Sequence, residues 1–140
     1  MEIIYIDGTF DLLHTGHIKI LKRLKNENNI LIVGVISDEN VETYKRKPII
    51  DLQNRCMMLN ELKCVDIVIP DCPFGGISKE FIDKHKITKV LYGGNQNTWT
   101  DHYKVPIEMG IMKYIDYSYN ELSTSKIINR IKHNISNSYI

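Results

Sequence analysis

Apolar and polar positions change period repeatedly along this chain. Ile3-Ile4-Tyr5-Ile6 is a continuous apolar run, as expected of a strand buried on both faces, and residues 18–25 follow with Ile20, Leu21 and Leu24 at helical spacing. Residues 30–36 are again apolar and rich in β-branched side chains, which predicts a central strand ending in the polar rim Ser37-Asp38-Glu39. From Asn40 the chain is polar, finishes in Tyr44-Lys45-Arg46-Lys47 ahead of Pro48, and reads as a loop. Asp51 is a good N-cap for a helix over 52–62, with Leu52, Cys56 and Leu59 on one face. A strand over 65–69 stops at Pro70, Ile77, Phe81 and His85 mark a short helix, and Lys89–Tyr92 form a further strand running into Gly93-Gly94-Asn95. A helix is expected near Asp101 or Tyr103, with Pro106 tolerated only in its first turn. An edge strand over 112–117 follows, and Ser123-Thr124-Ser125 open a last helix carrying Ile127, Ile128, Ile131 and Ile135 on one stripe.

Strands alternating with helices at this spacing predict an α/β doubly wound parallel sheet with right-handed crossovers, built as one domain over residues 1–140. A site then belongs at the carboxyl ends of the strands, and Gly8, Ser37, Pro70 and Gly93 all fall just past predicted strand ends. The formal net charge of +1 argues against a broad nucleic-acid surface, so any phosphate recognition has to be local. Cys56, Cys64 and Cys72 show no pairing suited to a disulfide framework or a zinc site, which fits a reducing cytoplasm. The N-terminus lacks a signal-peptide pattern, and no apolar run is long enough for a membrane span.

The densest chemistry lies in Gly8-Thr9-Phe10-Asp11-Leu12-Leu13-His14-Thr15-Gly16-His17, between the first strand and the first helix. Gly8 lets a phosphate approach the backbone, and the free amides and positive end of the following helix favour an anion. His14 and His17, three apart, sit together at the helix start, where imidazoles can donate hydrogen bonds to phosphate oxygens without a permanent charge. Taken singly, one histidine reads as a cap and the other as a satisfied, partly buried residue. Strand, loop, pair and helix together read as a phosphate site. The basic run 44–47 reads either as a solvated loop or as the mobile cationic loop of a triphosphate-handling domain.

Gly8-Thr9-Phe10-Asp11 followed by His14-Thr15-Gly16-His17 resembles the cytidylyltransferase group of nucleotidyltransferases, which join a nucleoside triphosphate to a phosphorylated alcohol and release pyrophosphate. The resemblance implies a single-domain, Rossmann-like doubly wound sheet of the HxGH nucleotidyltransferase type. It makes His14, His17 and Lys45 the catalytic candidates, and Gly8, Thr9, Phe10, Asp11, Gly16, Arg55, Gly93, Gly94, Ser123, Thr124 and Ser125 the nucleotide-binding ones. Substrate binding falls to Asp11, Lys45, Phe74, Asn95, Trp99, Asp101 and Tyr103. The partners implied are CTP carrying Mg2+, with no metal cage on the protein, and a small phosphorylated alcohol; residues 65–68 resemble a strand at which relatives form homodimers.

Residues 101–131 look most like the ethanolamine-phosphate enzymes, particularly their second domain. Two departures stand out. The family's final motif, Arg-Thr-Glu-Gly-Ile-Ser-Thr, aligns with residues 118–124, so its arginine and glycine are missing, and Lys126 and Arg130 become candidates for the lost charge. Gly94 and Asn95 replace acidic residues of many choline- and glycerol-phosphate enzymes, and Gly-Gly-Asp is the adenylyl-transferring pattern there. A primary ammonium suits Asp101, Asn95 and Tyr103 as acceptors better than a quaternary one, although Phe74 or Trp99 could give a cation-π contact, so ethanolamine phosphate is favoured. The alternatives are choline phosphate, glycerol 3-phosphate, adenylyl transfer to a sugar phosphate, and nucleotide binding without turnover.

Overall fold

In the computed structural model, which describes residues 1–92, 101–115 and 122–140, side chains alternate across β1 (Glu2–Gly8). Ile4 and Ile6 pack on one face of the sheet, against Ile20 and Leu21 of α1 (Thr15–Leu24). Tyr5 packs on the other, in a cluster with Ile77, Ile82 and Tyr103. β2 (Asn29–Val35) lies beside β1, as its uninterrupted apolar sequence requires of a strand covered on both sides. Gly34 is a packing requirement, because a Cβ there would overlap the Tyr5 hydroxyl on the neighbouring strand.

The chain continues through α2 (Asp38–Glu42), α3 (Leu52–Asn60), β3 (Ile67–Pro70), α4 (Lys79–Lys84), β4 (Lys89–Tyr92), α5 (Lys104–Glu108), β5 (Met112–Tyr114) and α6 (Thr124–Ser136). The five strands are ordered β3-β2-β1-β4-β5 and every pairing is parallel. The order reverses at β1, so the crevice between its carboxyl end and that of β4 is the place this topology reserves for a ligand.

Most predicted elements are present, with three differences. Residues 38–42 form a helix where a polar loop was expected: Ser37 Oγ accepts the Asn40 N–H at 3.1 Å, Asp38 and Glu39 lie in the first turn, and Val41 is buried. The strand expected over 65–69 starts later, at Ile67: Asp66 meets Leu31 of β2 with its N–H, which donates to the Leu31 carbonyl at 3.0 Å, and with its carboxylate, which takes the place of a backbone acceptor for the Leu31 N–H at 2.8 Å and also accepts Lys25 Nζ at 2.6 Å. The apolar stripe of α6 is covered only at its start, for Ile131 is 42% and Ile135 58% exposed. Gly93, Gly94, Asn95 and Trp99, with residues 116–121, lie outside the described residues.

Candidate active site

His14 is the N-cap of α1, and its Nδ1 accepts the Gly16 N–H at 3.0 Å. His17, one turn on, returns the bond: its Nδ1 accepts the His14 N–H at 3.3 Å. This is a capping box built from two imidazoles, which stack with centroids 3.9 Å apart. Because each Nδ1 is an acceptor, each ring is neutral with its proton on Nε2, so both present an N–H donor away from the cap. Electrostatics agrees. Burial lowers the His14 pKa, and burial, helped by His14 itself, lowers that of His17 to about 4. Gly16 is fixed by packing, since a Cβ would lie 2.8 Å from both the His14 ring and the Leu122 carbonyl oxygen.

The loop before α1 has Phe10 and Leu12 at φ 54° and 49°, left-handed values that cost side-chain-bearing residues about 1 kcal/mol or more each. Asp11, between them, is the anchor. Its buried carboxylate accepts the N–H groups of Ile49 at 2.8 Å and Ile50 at 2.9 Å and Arg46 Nη1 at 3.0 Å. Burial acts to raise its pKa, but these donors more than offset it and the net shift is downward. Arg55 is 1% exposed, and its Nη1, Nε and Nη2 donate to the Thr9 carbonyl at 2.7 Å, the Ile50 carbonyl at 2.9 Å and Asp38 at 2.5 Å. Asp11 and Arg55, both expected at the ligand, hold the basic loop against the β1–α1 loop, and Asp11 also lines the pocket. Lys45 is left facing the pocket, its pKa lowered first by burial and then by Arg46.

The pocket itself, about 560 Å³, is walled by Gly8, Thr9, Phe10, both histidines, Lys45 and Arg46, and closed on the far side by the start of α6. There Ser123 caps the helix, accepting the Lys126 N–H at 3.2 Å, and Thr124 Oγ1 donates to the Asp11 carbonyl at 2.9 Å. Two helix N-termini, α1 and α6, therefore converge on one cavity with Lys45, Arg46 and Lys126, a setting for a polyanion. Thr124 spends its hydroxyl proton on the loop, Ser125 is exposed outside the lining, and Arg130 does not line it either, whereas Lys126 does.

Asp7, which was not among the residues expected at the site, gathers a second cluster beside the pocket. Its buried carboxylate, at the carboxyl end of β1 and on the pocket wall, accepts the Tyr103 hydroxyl at 2.6 Å and lies 2.7 Å from His102 Nε2. Aromatic rings gather near it: Tyr92 stacks on Tyr103 at 4.8 Å, and Phe74 lies 6.4 Å from His102 and stacks on Tyr44 at 5.8 Å. Of the residues expected at the alcohol, Tyr103 and Phe74 lie in this cluster, Asp101 is exposed, and the carboxylate among the rings is that of Asp7. A polar residue inside an otherwise apolar strand, one position before Gly8, was the available signal.

Comparison with known proteins bears on this arrangement. Residues 5–130 match the family model described as cytidylyltransferase-like. The chain is 36% identical over 138 residues to an ethanolamine-phosphate cytidylyltransferase of Arabidopsis thaliana, covering 93% of this chain and 32% of that protein. A Dictyostelium discoideum protein of the same name is 36% identical over 93% of this chain and 38% of its own length. A choline-phosphate cytidylyltransferase of Saccharomyces cerevisiae is 37% identical over 91% of this chain and 31% of its own. The chain thus spans about a third of the length of these curated relatives. Among solved structures, a lipopolysaccharide core biosynthesis protein of Thermoplasma volcanium superposes with a TM-score of 0.66 at 28% identity, over 83% of this chain and 97% of that one. Since the family match runs from β1 into α6 and takes in the histidine pair, the loop anchored by Asp11 and the Asp7 cluster, this chain belongs to the cytidylyltransferase-like family.

Proposed function

We propose that this chain transfers CMP from CTP to a phosphorylated amino alcohol, with ethanolamine phosphate preferred, and releases pyrophosphate. The observation that carries the reading is the pair of neutral imidazoles whose Nε2–H groups are directed by their own helix cap toward a pocket bearing Lys45, Arg46 and Lys126. A phosphate oxygen of the alcohol attacks the α-phosphorus in line, forming a new P–O bond as the bond to the β-phosphate oxygen breaks and its electrons leave with pyrophosphate. The protein has no proton to move in this step. Its contribution is orientation, and electrostatic stabilisation of charge on the five-coordinate phosphorus and the leaving group.

His14 and His17 donate to those oxygens, Lys45 draws two anionic substrates together, and the start of α6 with Lys126 receives the leaving pyrophosphate. Asp11 and Asp7 already accept hydrogen bonds from protein donors at both carboxylate oxygens, so Mg2+ would arrive on CTP and would screen the triphosphate charge there. Asp7, among Tyr103, Phe74 and Tyr92, faces the ammonium.

A homodimer in the cytoplasm completes the reading. Ile49, Met57 and Met58 are 62%, 58% and 51% exposed along one groove by α3, and Ile67 on edge strand β3 is 43% exposed, an apolar face suited to a second copy. The three free cysteines suit a reducing compartment.

An alcohol panel tests the proposal. Ethanolamine phosphate should give a higher kcat/KM than choline phosphate or glycerol 3-phosphate, and Asp7→Asn should erode that preference more than Asp101→Asn. A clear preference for either competitor would overturn the choice of alcohol.

A further inference from the structure

Asp7 is a buried carboxylate, with its side chain 3% exposed, and no Lys or Arg is paired with it among the described residues. A buried charge left this way is costly unless something completes it. Two titratable groups touch it, the Tyr103 hydroxyl at 2.6 Å and His102 Nε2 at 2.7 Å, and His102 is itself 6% exposed. The other ring nitrogen decides what His102 is. Nδ1 accepts the Gly75 N–H at 3.1 Å, and a proton on Nδ1 would set one N–H against another. The imidazole is therefore neutral, carries its hydrogen on Nε2, and gives Asp7 a hydrogen bond without a countercharge.

His102 is also fastened from the backbone side, since its carbonyl accepts the Ile77 N–H at 3.0 Å. The ring thus bridges the loop around Gly75 and the end of β1, with Phe74 beside it. Histidine in this tautomer satisfies Asp7 Oδ2 and leaves its negative charge uncompensated; Tyr103 does the same at Oδ1.

We propose that His102 is a positioning residue that holds Asp7 as an oriented, uncompensated negative charge, so that the cationic group of the incoming phosphorylated alcohol completes the pair and neutral alcohols are disfavoured. This rests on the reading above that Asp7 faces the ammonium. A purely structural His102 would staple the loop to the sheet, and its loss would affect all alcohols alike.

Replacement by groups that differ in charge separates the two. His102→Gln can place an uncharged N–H donor near the position of Nε2, His102→Lys places a donor with a full positive charge there, and His102→Phe keeps a ring without a donor. Steady-state kinetics with ethanolamine phosphate and glycerol 3-phosphate at saturating CTP, with the thermal midpoint of each variant, gives the readout. The ratio of kcat/KM values should be little changed in His102→Gln and fall about tenfold or more in His102→Lys and His102→Phe, mainly through KM for ethanolamine phosphate. If His102→Phe does not fold, the Gln and Lys pair decides. A wild-type-like ratio in His102→Lys, or the same fall in Gln and Lys variants, overturns the inference while the amino-alcohol reading stands. A wild-type protein with no preference for the ammonium alcohol overturns both.

Discussion

Removing His17 takes away two separable things, which makes it the most informative substitution. One is structural: His17 Nδ1 accepts the His14 N–H at 3.3 Å, and the ring stacks on His14 at 3.9 Å and lies 5.5 Å from Phe10. A long cap bond and two ring contacts together correspond to about 1 to 2 kcal/mol of stability. The other, on the proposed function, is chemical: an Nε2–H donor to transition-state charge would be worth about 3 kcal/mol, or a hundredfold or more in kcat. His17→Ala should therefore turn over a hundredfold or more slowly while remaining folded, with the thermal midpoint lowered by several degrees. Two further variants divide the effects. His17→Asn can place its carbonyl oxygen near Nδ1 and recover the cap, but has nothing at Nε2; His17→Gln can place an amide N–H near Nε2, but no acceptor at Nδ1. Pyrophosphate release and thermal unfolding measured on the same samples should show Asn recovering stability without turnover, and Gln recovering turnover without the cap. Near-wild-type turnover in His17→Ala, or recovery of turnover by Asn rather than Gln, would refute the argument that Nε2–H does the chemistry.

The same proton placement makes stability depend on pH. With the His17 pKa lowered from 6.5 to about 4, the unfolded chain takes up the proton first, so this contribution is complete above pH 6.5 and is lost as pH falls toward 4. The thermal midpoint should drop across that window, and drop less in His17→Gln. Lys45→Ala should reduce kcat/KM at least tenfold, whereas Lys47→Ala, outside the pocket lining, should be nearly neutral; equal small effects in the two would make the basic run a solvated loop. Asp11→Asn turns an acceptor oxygen into a donor facing either the Ile49 or the Ile50 N–H, so about 2 kcal/mol or more of stability should be lost and KM should rise for both substrates; a KM change confined to one of them would show direct contact with that ligand.

Much of this was legible in the sequence for physical reasons. Buried parallel strands leave continuous apolar runs such as residues 30–36, and side-chain caps announce helices, as Asp51 and Ser123 do for α3 and α6. The histidine pair was legible because its geometry is local, set by a helix turn. α2 escaped because it has five residues and buries only Val41, too little for periodicity to show. What the sequence could not display is pairing across long separations. Arg55 meets Thr9 across 46 positions, and His102 meets Asp7 across 95. Nothing near Arg55 in the sequence marks it as a buried staple, and nothing near Asp101 shows that the carboxylate among the rings is the one in β1.

We propose that the cradle between α1 and α6 performs nucleotidyl transfer and does not merely hold a nucleotide. This is tested most directly by incubating the purified chain with CTP, Mg2+ and ethanolamine phosphate and following the phosphorus species by NMR. Pyrophosphate and CDP-ethanolamine should appear in equal amounts, omitting the alcohol should abolish both, and ATP should substitute poorly for CTP. Binding of CTP with no pyrophosphate formed across the alcohol panel, or product formed from ATP alone, would contradict it.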